Sequence, residues 1–267
     1  MKITALLSLI LLFPITSNAQ ECANEVTINF NSLAAGTVVS DQFSSSGISL
    51  ISTLNANSAH PDLALIFDSS NPSGGDLDLG TPNQSNGGPG IGNGANNNTS
   101  LGNLLIISED STDADSDGLI DNPDDESSGG DIVFNFTKLS QIKELVFVDV
   151  ESGLTISGFN ASNEPTFTSE VSESEDNDVV TINLLNSSEK NNARLVMSLR
   201  DSGALASITL CQSNTVINKT VKIRRLCKAL KASKRKRIGK RRLIKAGKFI
   251  RAVLSKAGKN ALRKGTC

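Results

Sequence analysis

The feature that most constrains the fold is a series of short apolar runs, rich in β-branched and aromatic residues and separated by Gly, Asn, Ser and Asp. Alternation of apolar and polar residues with a period of two is typical of strands that bury one face. No segment between residues 24 and 212 has the 3.6-residue period of an amphipathic helix. We count eleven strand-like runs there: "VTINF", "GISLIST", "LALIFDS", "LLIIS", "DIVFNFT", "ELVFVDV", "LTISGF", "PTFTSEV", "VVTINLL", "ARLVMSL" and "LASITL". The pattern predicts an all-β domain, specifically a jelly-roll-like β-sandwich.

The first residues, "MKITALLSLILLFPITSNA", combine one Lys, a short apolar run and a small-x-small ending. This is the pattern of a secretory signal peptide, with cleavage after residue 19. We therefore expect three parts: a signal peptide at residues 1–19, an acidic β-sandwich at residues 20–212, and a tail at residues 213–267. The expected location is extracellular or at the cell surface.

Disulfides persist in oxidising compartments, so export predicts that the four cysteines form disulfides. Cys22 precedes the first strand-like run and Cys211 ends the last one. A sandwich with neighbouring terminal strands would bring these two together, so we predict a Cys22–Cys211 disulfide. Cys227 and Cys267 bracket the tail, and we predict that they form the second pair.

Charge is divided unevenly along the chain. All 28 acidic residues lie between Glu21 and Asp201, where five basic residues leave a net charge of −23, whereas residues 219 to 264 contain 20 basic residues and no acid. Apolar residues in the tail follow helical spacing, which predicts a basic amphipathic α-helix. The residues expected to bind an anionic surface are Lys234, Arg235, Lys236, Arg237, Lys240, Arg241, Arg242, Lys245, Lys248 and Arg251.

The partner expected for this tail is an anionic membrane or envelope surface, which attracts clustered Lys and Arg. Acidic polysaccharide and extracellular DNA remain alternatives, since DNA binding needs only comparable positive charge. Self-association is a third alternative, in which the tail docks on the acidic body of the same or a neighbouring molecule.

Carboxylates are densest between Glu109 and Glu126. The segment "DADSDGLIDNPD" places oxygen ligands at the spacing of a twelve-residue Ca²⁺ loop, with Gly118 at the sharp turn. Its last position holds Asp, whereas EF-hand loops hold a Glu that binds through both oxygens. The predicted cofactor is Ca²⁺, and the predicted ligands are Asp113, Asp115, Asp117, the carbonyl of Leu119, Asp121 and Asp124.

The blocks "LALIFDSSNPSGGDLDLGTPN", "LGNLLIISED", "NPDDESSGGDIVFNF" and "LVFVDVE" resemble a β-sandwich domain of secreted bacterial proteins, many of which carry a PEP-CTERM sorting tail. The resemblance covers roughly residues 24 to 155 and implies fold and secretion. It also implies that "STDADSDGLID" is an insertion beside an older family site. A second candidate metal site would then comprise Asp68, Asp76, Asp78, Glu109, Asp110, Asp125 and Glu126.

Catalysis has little support in the sequence. His60 is the single histidine, and we expect it to be solvated; no nucleophile motif or phosphate-binding loop is present. We therefore predict a protein that is not an enzyme. The alternative function is a calcium-dependent carbohydrate-binding module, although Trp and Tyr, the usual sugar-stacking rings, are absent.

Overall fold

The computed structural model describes Cys22, residues 24–185 and residues 191–217. The predicted signal peptide, most of the basic tail and the predicted Cys227–Cys267 pair lie outside the described residues. No helix within the described ranges combines the length and the apolar character that a membrane crossing requires.

The described chain is all-β, as predicted, and its strands form one curled antiparallel sheet. The sheet order is β3-β4-β10-β5-β9-β6-β7, with β1 beside β10 and with β2 and β8 beside β5. Three short 3-10 helices lie at Ser44–Ser46, Leu77–Leu79 and Gln84–Asn86. The strands are β1 (Glu25–Asn29), β2 (Ile48–Asn55), β3 (Ala64–Asp68), β4 (Asn103–Ile107), β5 (Gly130–Val148), β6 (Leu154–Phe159), β7 (Pro165–Val171), β8 (Val179–Asn183), β9 (Asn192–Leu199) and β10 (Ala204–Val216).

Strand β5 joins the two halves of the sheet. Two of the predicted runs, "DIVFNFT" and "ELVFVDV", are the beginning and end of this one 19-residue strand. Its first part pairs with β2 and β9, and its second part pairs with β8 and β10. Its pairing register with β9 shifts between the two parts. A β-bulge at such a shift increases the local twist of the strand.

The main hydrophobic core lies between the two halves of the sheet. Ile51 of β2 and Phe134 of β5 come from one half, whereas Leu105 of β4 and Ile208 of β10 come from the other, and all four are buried in the same cluster. The curl of the sheet thus encloses the alternating apolar positions that the sequence displays.

A second, smaller core lies on the other face of β3, β4 and β10. Strands β3 and β4 are buried at nearly every position, because Leu65, Phe67, Leu104 and Ile106 point away from the main core. Their cover is the Gly- and Asn-rich loop between β3 and β4, which contributes the wholly buried Leu79. Leu79 thus gives a loop of polar, Gly-rich composition an apolar anchor.

The predicted disulfide between Cys22 and Cys211 is confirmed, with a Cα–Cα distance of 5.5 Å. Strand β1 pairs with β10 in a register that places Glu25 opposite Cys211. Strand β10 continues to Val216, beyond the end of the body predicted at residue 212. Val216 pairs with Lys138 of β5, so this extension is part of the same sheet.

Candidate metal centre

The loop that follows β4 turns tightly around three aspartates. Oxygens of Asp113, Asp115 and Asp117 all lie within 4.8 Å of one another. Asp113 accepts hydrogen bonds from the backbone N–H groups of Asp117 and Gly118, at 3.1 and 3.2 Å. Gly118 has φ = 89°, a conformation that an L side chain rarely adopts. The segment therefore has the compact oxygen-rich turn that its spacing predicted.

The same loop is fixed to the body at its C-terminal end. Asp121 accepts a hydrogen bond from the Ala114 backbone N–H at 2.7 Å, which closes the turn. The Ile120 N–H donates to the Gly36 carbonyl at 2.8 Å, and the Ile120 side chain packs against the second core. The backbone N–H of Leu119 donates to Asp117 at 2.8 Å. The turn is thus held by the fold as well as by its own hydrogen bonds.

Asp124 lies with a different group of carboxylates. Its carbonyl accepts from the Glu109 N–H at 3.0 Å, and its side chain shares a hydrogen bond with Asp76. Partial burial raises the pKa of Asp124, and repulsion from Glu109 and Asp110 raises it further. Among the residues predicted for the calcium loop, Asp124 is therefore the one that the fold places beside the second candidate site.

Asp76 and Asp125 form the buried part of that second site. The Asp125 backbone N–H donates to Asp76 at 2.7 Å, and the Asp125 carboxylate accepts from the Ser202 hydroxyl at 2.8 Å and the Gly203 N–H at 2.9 Å. Burial raises the pKa of Asp76 to about 7 and that of Asp125 well above its usual range. Repulsion from Asp124 adds to the shift of Asp76, and repulsion from Asp76 adds to that of Asp125.

His60 joins this region, which the sequence did not indicate. Its Nδ1 lies 2.6 Å from Oε2 of Glu126, a wholly buried carboxylate, and Glu109 lies close enough for all three to share an ion. The hydrogen bond to Glu126 raises the pKa of His60. Burial raises the pKa of Glu126, but hydrogen bonds from His60 and Ser128 outweigh burial, so the net shift is downward.

The other residues predicted for the second site make their hydrogen bonds or closest carboxylate contacts elsewhere. Asp68 accepts hydrogen bonds from the N–H and hydroxyl of Ser70, at 2.9 and 2.6 Å. Asp110 accepts from the Thr112 N–H at 3.0 Å. Each of these two carboxylates stabilises a local turn. Asp78 lies in a third group of carboxylates, with Asp149, Glu151 and Asp176.

This third group was absent from the sequence-based prediction. Asp149 directly follows β5, Glu151 lies in the β5–β6 turn, and Asp176 lies in the β7–β8 connection; their oxygens all lie within 4.8 Å of one another. Burial raises the pKa of Asp149 to about 7, and burial with repulsion from Asp176 raises the pKa of Asp78. Asp149 and Glu151 are two residues apart, but Asp78 and Asp176 are distant in sequence, so the meeting of the group depends on the curl of the sheet.

No protein-family model matches the chain, and no curated protein matches it. A histidine mutant of the lectin-binding domain of Lectinolysin, complexed with Lewis b, matches 33% of this chain and 68% of its own at 6% identity, with a TM-score of 0.26. A fucose-binding module of Streptococcus pneumoniae matches 34% of this chain and 69% of its own at 16% identity, with a TM-score of 0.24. TM-scores this low support no functional argument, which rests on the side chains described above.

The raised pKa values predict how the metal-free protein responds to pH. Asp76 and Asp149 have a pKa of about 7 when folded against 3.8 ordinarily, so the folded state holds more protons between these values. Unfolding free energy must then fall as the pH rises from about 4 to about 7. The raised pKa of His60 also makes the unfolding free energy fall as the pH rises above 6.5.

The measurement is thermal melting in chelator, followed by circular dichroism because Trp and Tyr are absent. We expect the melting temperature to fall from about pH 5 to about pH 7, and to fall less steeply in Asp76→Asn. A melting temperature that rises over this interval would contradict the assignment of raised pKa values.

Proposed function

We propose that the chain is an exported calcium-binding β-sandwich protein of jelly-roll type that attaches to an anionic surface through its basic tail. The observation that supports calcium binding most directly is the convergence of Asp113, Asp115 and Asp117 within 4.8 Å around the turn at Gly118. Ca²⁺ takes six to eight oxygen ligands, and aspartates at alternate positions of a tight turn supply them efficiently. The neighbouring backbone N–H groups hold the carboxylates in place without neutralising their charge.

The ion would have a structural role in this proposal. Extracellular calcium modules typically bind with dissociation constants on the order of 10⁻⁴ to 10⁻³ M, so the surrounding fluid keeps such sites filled. A bound ion would offset the repulsion among the loop aspartates and hold the loop against the second core through Ile120. The bound state would thus stabilise the body rather than transmit a signal.

Calcium-dependent melting tests the loop. At a calcium concentration of about a hundred times the dissociation constant, one site adds about 2.7 kcal/mol to the unfolding free energy. We expect calcium to raise the melting temperature of the unmodified chain, and to raise it less in Asp113→Asn/Asp115→Asn. The matched control is Asp41→Asn, because Asp41 is also exposed and lies outside the carboxylate groups.

Calcium uptake measured on the same three proteins decides the assignment. Loss of bound calcium in the double variant, with none lost in Asp41→Asn, is the expected result. Equal calcium uptake by the double variant and the unmodified chain would contradict calcium binding at this loop.

The proposal for the tail rests on charge. The body between Glu21 and Asp201 carries −23, whereas 20 basic residues follow from Lys219 onward, outside the described residues. Each Lys or Arg near an anionic membrane contributes about 1 kcal/mol to binding. The body would therefore be repelled by such a surface and the tail attracted to it, which orients the molecule with its acidic end exposed.

Co-sedimentation with vesicles tests the tail. The oxidised chain is compared with a chain that ends at Ile217, which leaves β10 intact. We expect the longer chain to sediment with anionic vesicles at low salt and to dissociate from them at high salt. It is not expected to sediment with zwitterionic vesicles. Equal sedimentation of both chains would contradict the proposal, whereas glycan binding abolished by chelator would favour the carbohydrate-binding alternative.

A further inference from the structure

Three buried carboxylate oxygens on separate segments accept no hydrogen bond from the described residues. They are Oδ1 of Asp78, Oδ2 of Asp149 and Oδ1 of Asp176. The Asp149 side chain is 0% exposed, and its other oxygen already accepts from the Asn177 N–H at 2.7 Å. Nearly all buried polar atoms in proteins have a partner, because an unpaired one keeps its full desolvation cost. Three such oxygens in one region require an explanation.

Two of the three residues converge with a further carboxylate. Asp149 and Asp176 each offer an oxygen within 4.8 Å of the other and of Glu151. Asp78 lies near this group, because its charge raises the pKa of Asp149 and of Glu151, and repulsion from Asp176 raises the pKa of Asp78 itself. The charged groups that act on Asp78, Asp149 and Glu151 are all carboxylates. A group of four acids on which no cation of the described residues acts is the arrangement that a metal ion stabilises.

The backbone around the group is fixed by hydrogen bonds that leave these oxygens unpaired. Asn177, next to Asp176, donates from its side chain to the carbonyls of Asp78 and Gly80, the latter at 2.8 Å. Asn83 donates to the Asn177 side chain at 2.7 Å. The Asp149 N–H donates to the Asp178 carbonyl at 2.9 Å. These hydrogen bonds thus align three chain segments, and none of them is donated to the three carboxylate oxygens.

We propose that Asp78, Asp149, Glu151 and Asp176 bind a calcium ion, which ties the loop between β3 and β4 and the β7–β8 connection to the end of β5. Oxygen-only ligands of high negative charge suit a hard divalent cation, and ligands drawn from three irregular segments suit Ca²⁺ better than the strict octahedron of Mg²⁺. This site is distinct from the loop at Asp113 and does not depend on it.

The test is calcium content after dialysis, combined with melting in calcium and in chelator. Asp149→Asn is expected to bind one calcium ion fewer per chain than the unmodified protein. Its melting temperature in chelator is expected to equal or exceed that of the unmodified protein, because one repelling charge is gone, whereas in calcium it is expected to be lower. Glu173→Gln is the matched control, since Glu173 is an exposed acid of the same β7–β8 connection.

A second variant tests the same site without replacing a buried residue. Glu151 is exposed, so Glu151→Gln is expected to fold normally and to weaken calcium binding at this site roughly tenfold. The same measurements on Asp113→Asn/Asp115→Asn separate the two sites, because that variant is expected to retain the Asp149 ion. Unchanged calcium content in both Asp149→Asn and Glu151→Gln would overturn the proposal, independently of the result for the loop variant. Protons shared between the carboxylates would then explain the unpaired buried oxygens.

Discussion

Replacing both Cys22 and Cys211 by serine is expected to lower the free energy of unfolding by about 5 kcal/mol. The bond joins residues separated by 189 positions, so almost the whole body lies inside the closed loop. Closing a loop of this length removes much of the conformational entropy of the unfolded chain. Cys211 is also nearly buried and lies opposite β1, so a serine hydroxyl there adds a desolvation cost.

The measurement is denaturant unfolding of the oxidised chain, followed by circular dichroism. The matched control replaces Cys227 and Cys267 by serine, and we expect it to leave the unfolding midpoint of the body close to that of the unmodified chain. A free energy of unfolding for the Cys22/Cys211 variant within about 1 kcal/mol of the control would contradict the stabilising role of this cross-link.

The second large effect is expected at Leu79. Its side chain is wholly buried in the second core, where it attaches the loop between β3 and β4 to Phe67, Leu104 and Ile106. Truncating a buried leucine to alanine costs about 2 to 5 kcal/mol. Since Asp78 is its direct neighbour, the loss of this anchor also loosens one ligand of the proposed Asp149 site.

Leu77 provides a matched control two residues away in the same 3-10 helix. It is 43% exposed, so Leu77→Ala is expected to change the unfolding free energy by no more than about 0.5 kcal/mol. Hydrogen exchange gives a second readout: we expect faster exchange throughout the loop between β3 and β4 in Leu79→Ala, with β9 unchanged. Equal effects of the two substitutions would show that the loop is not held by Leu79.

Most of the strands could be predicted from local pattern because their residues alternate around one buried face. The sequence could not reveal that the two runs on either side of Lys138 form one strand, since strand continuity across polar residues depends on the neighbours that pair with it. The nearly continuous burial of β3 and β4 was visible as "LALIF" and "LLII", a composition typical of strands covered on both faces.

The acidic site was predictable only where its residues are close in sequence. Asp113, Asp115 and Asp117 meet because one short turn brings them together, so spacing was sufficient. The position of Asp124 depends on Gly74, whose backbone approaches it too closely for a side chain. His60 and Asp149 reach their carboxylate partners through the curl of the sheet, which is a property of tertiary structure that spacing does not encode.

Calorimetric titration of the oxidised, metal-free protein with Ca²⁺ shows whether these carboxylates bind the ion. We expect uptake of two ions per chain, one at the loop of Asp113 and one at Asp149, together with a higher melting temperature in calcium than in chelator. Magnesium at the same concentration is expected to produce a smaller shift. No heat of binding and identical melting in calcium and chelator would contradict the claim that these carboxylates hold calcium.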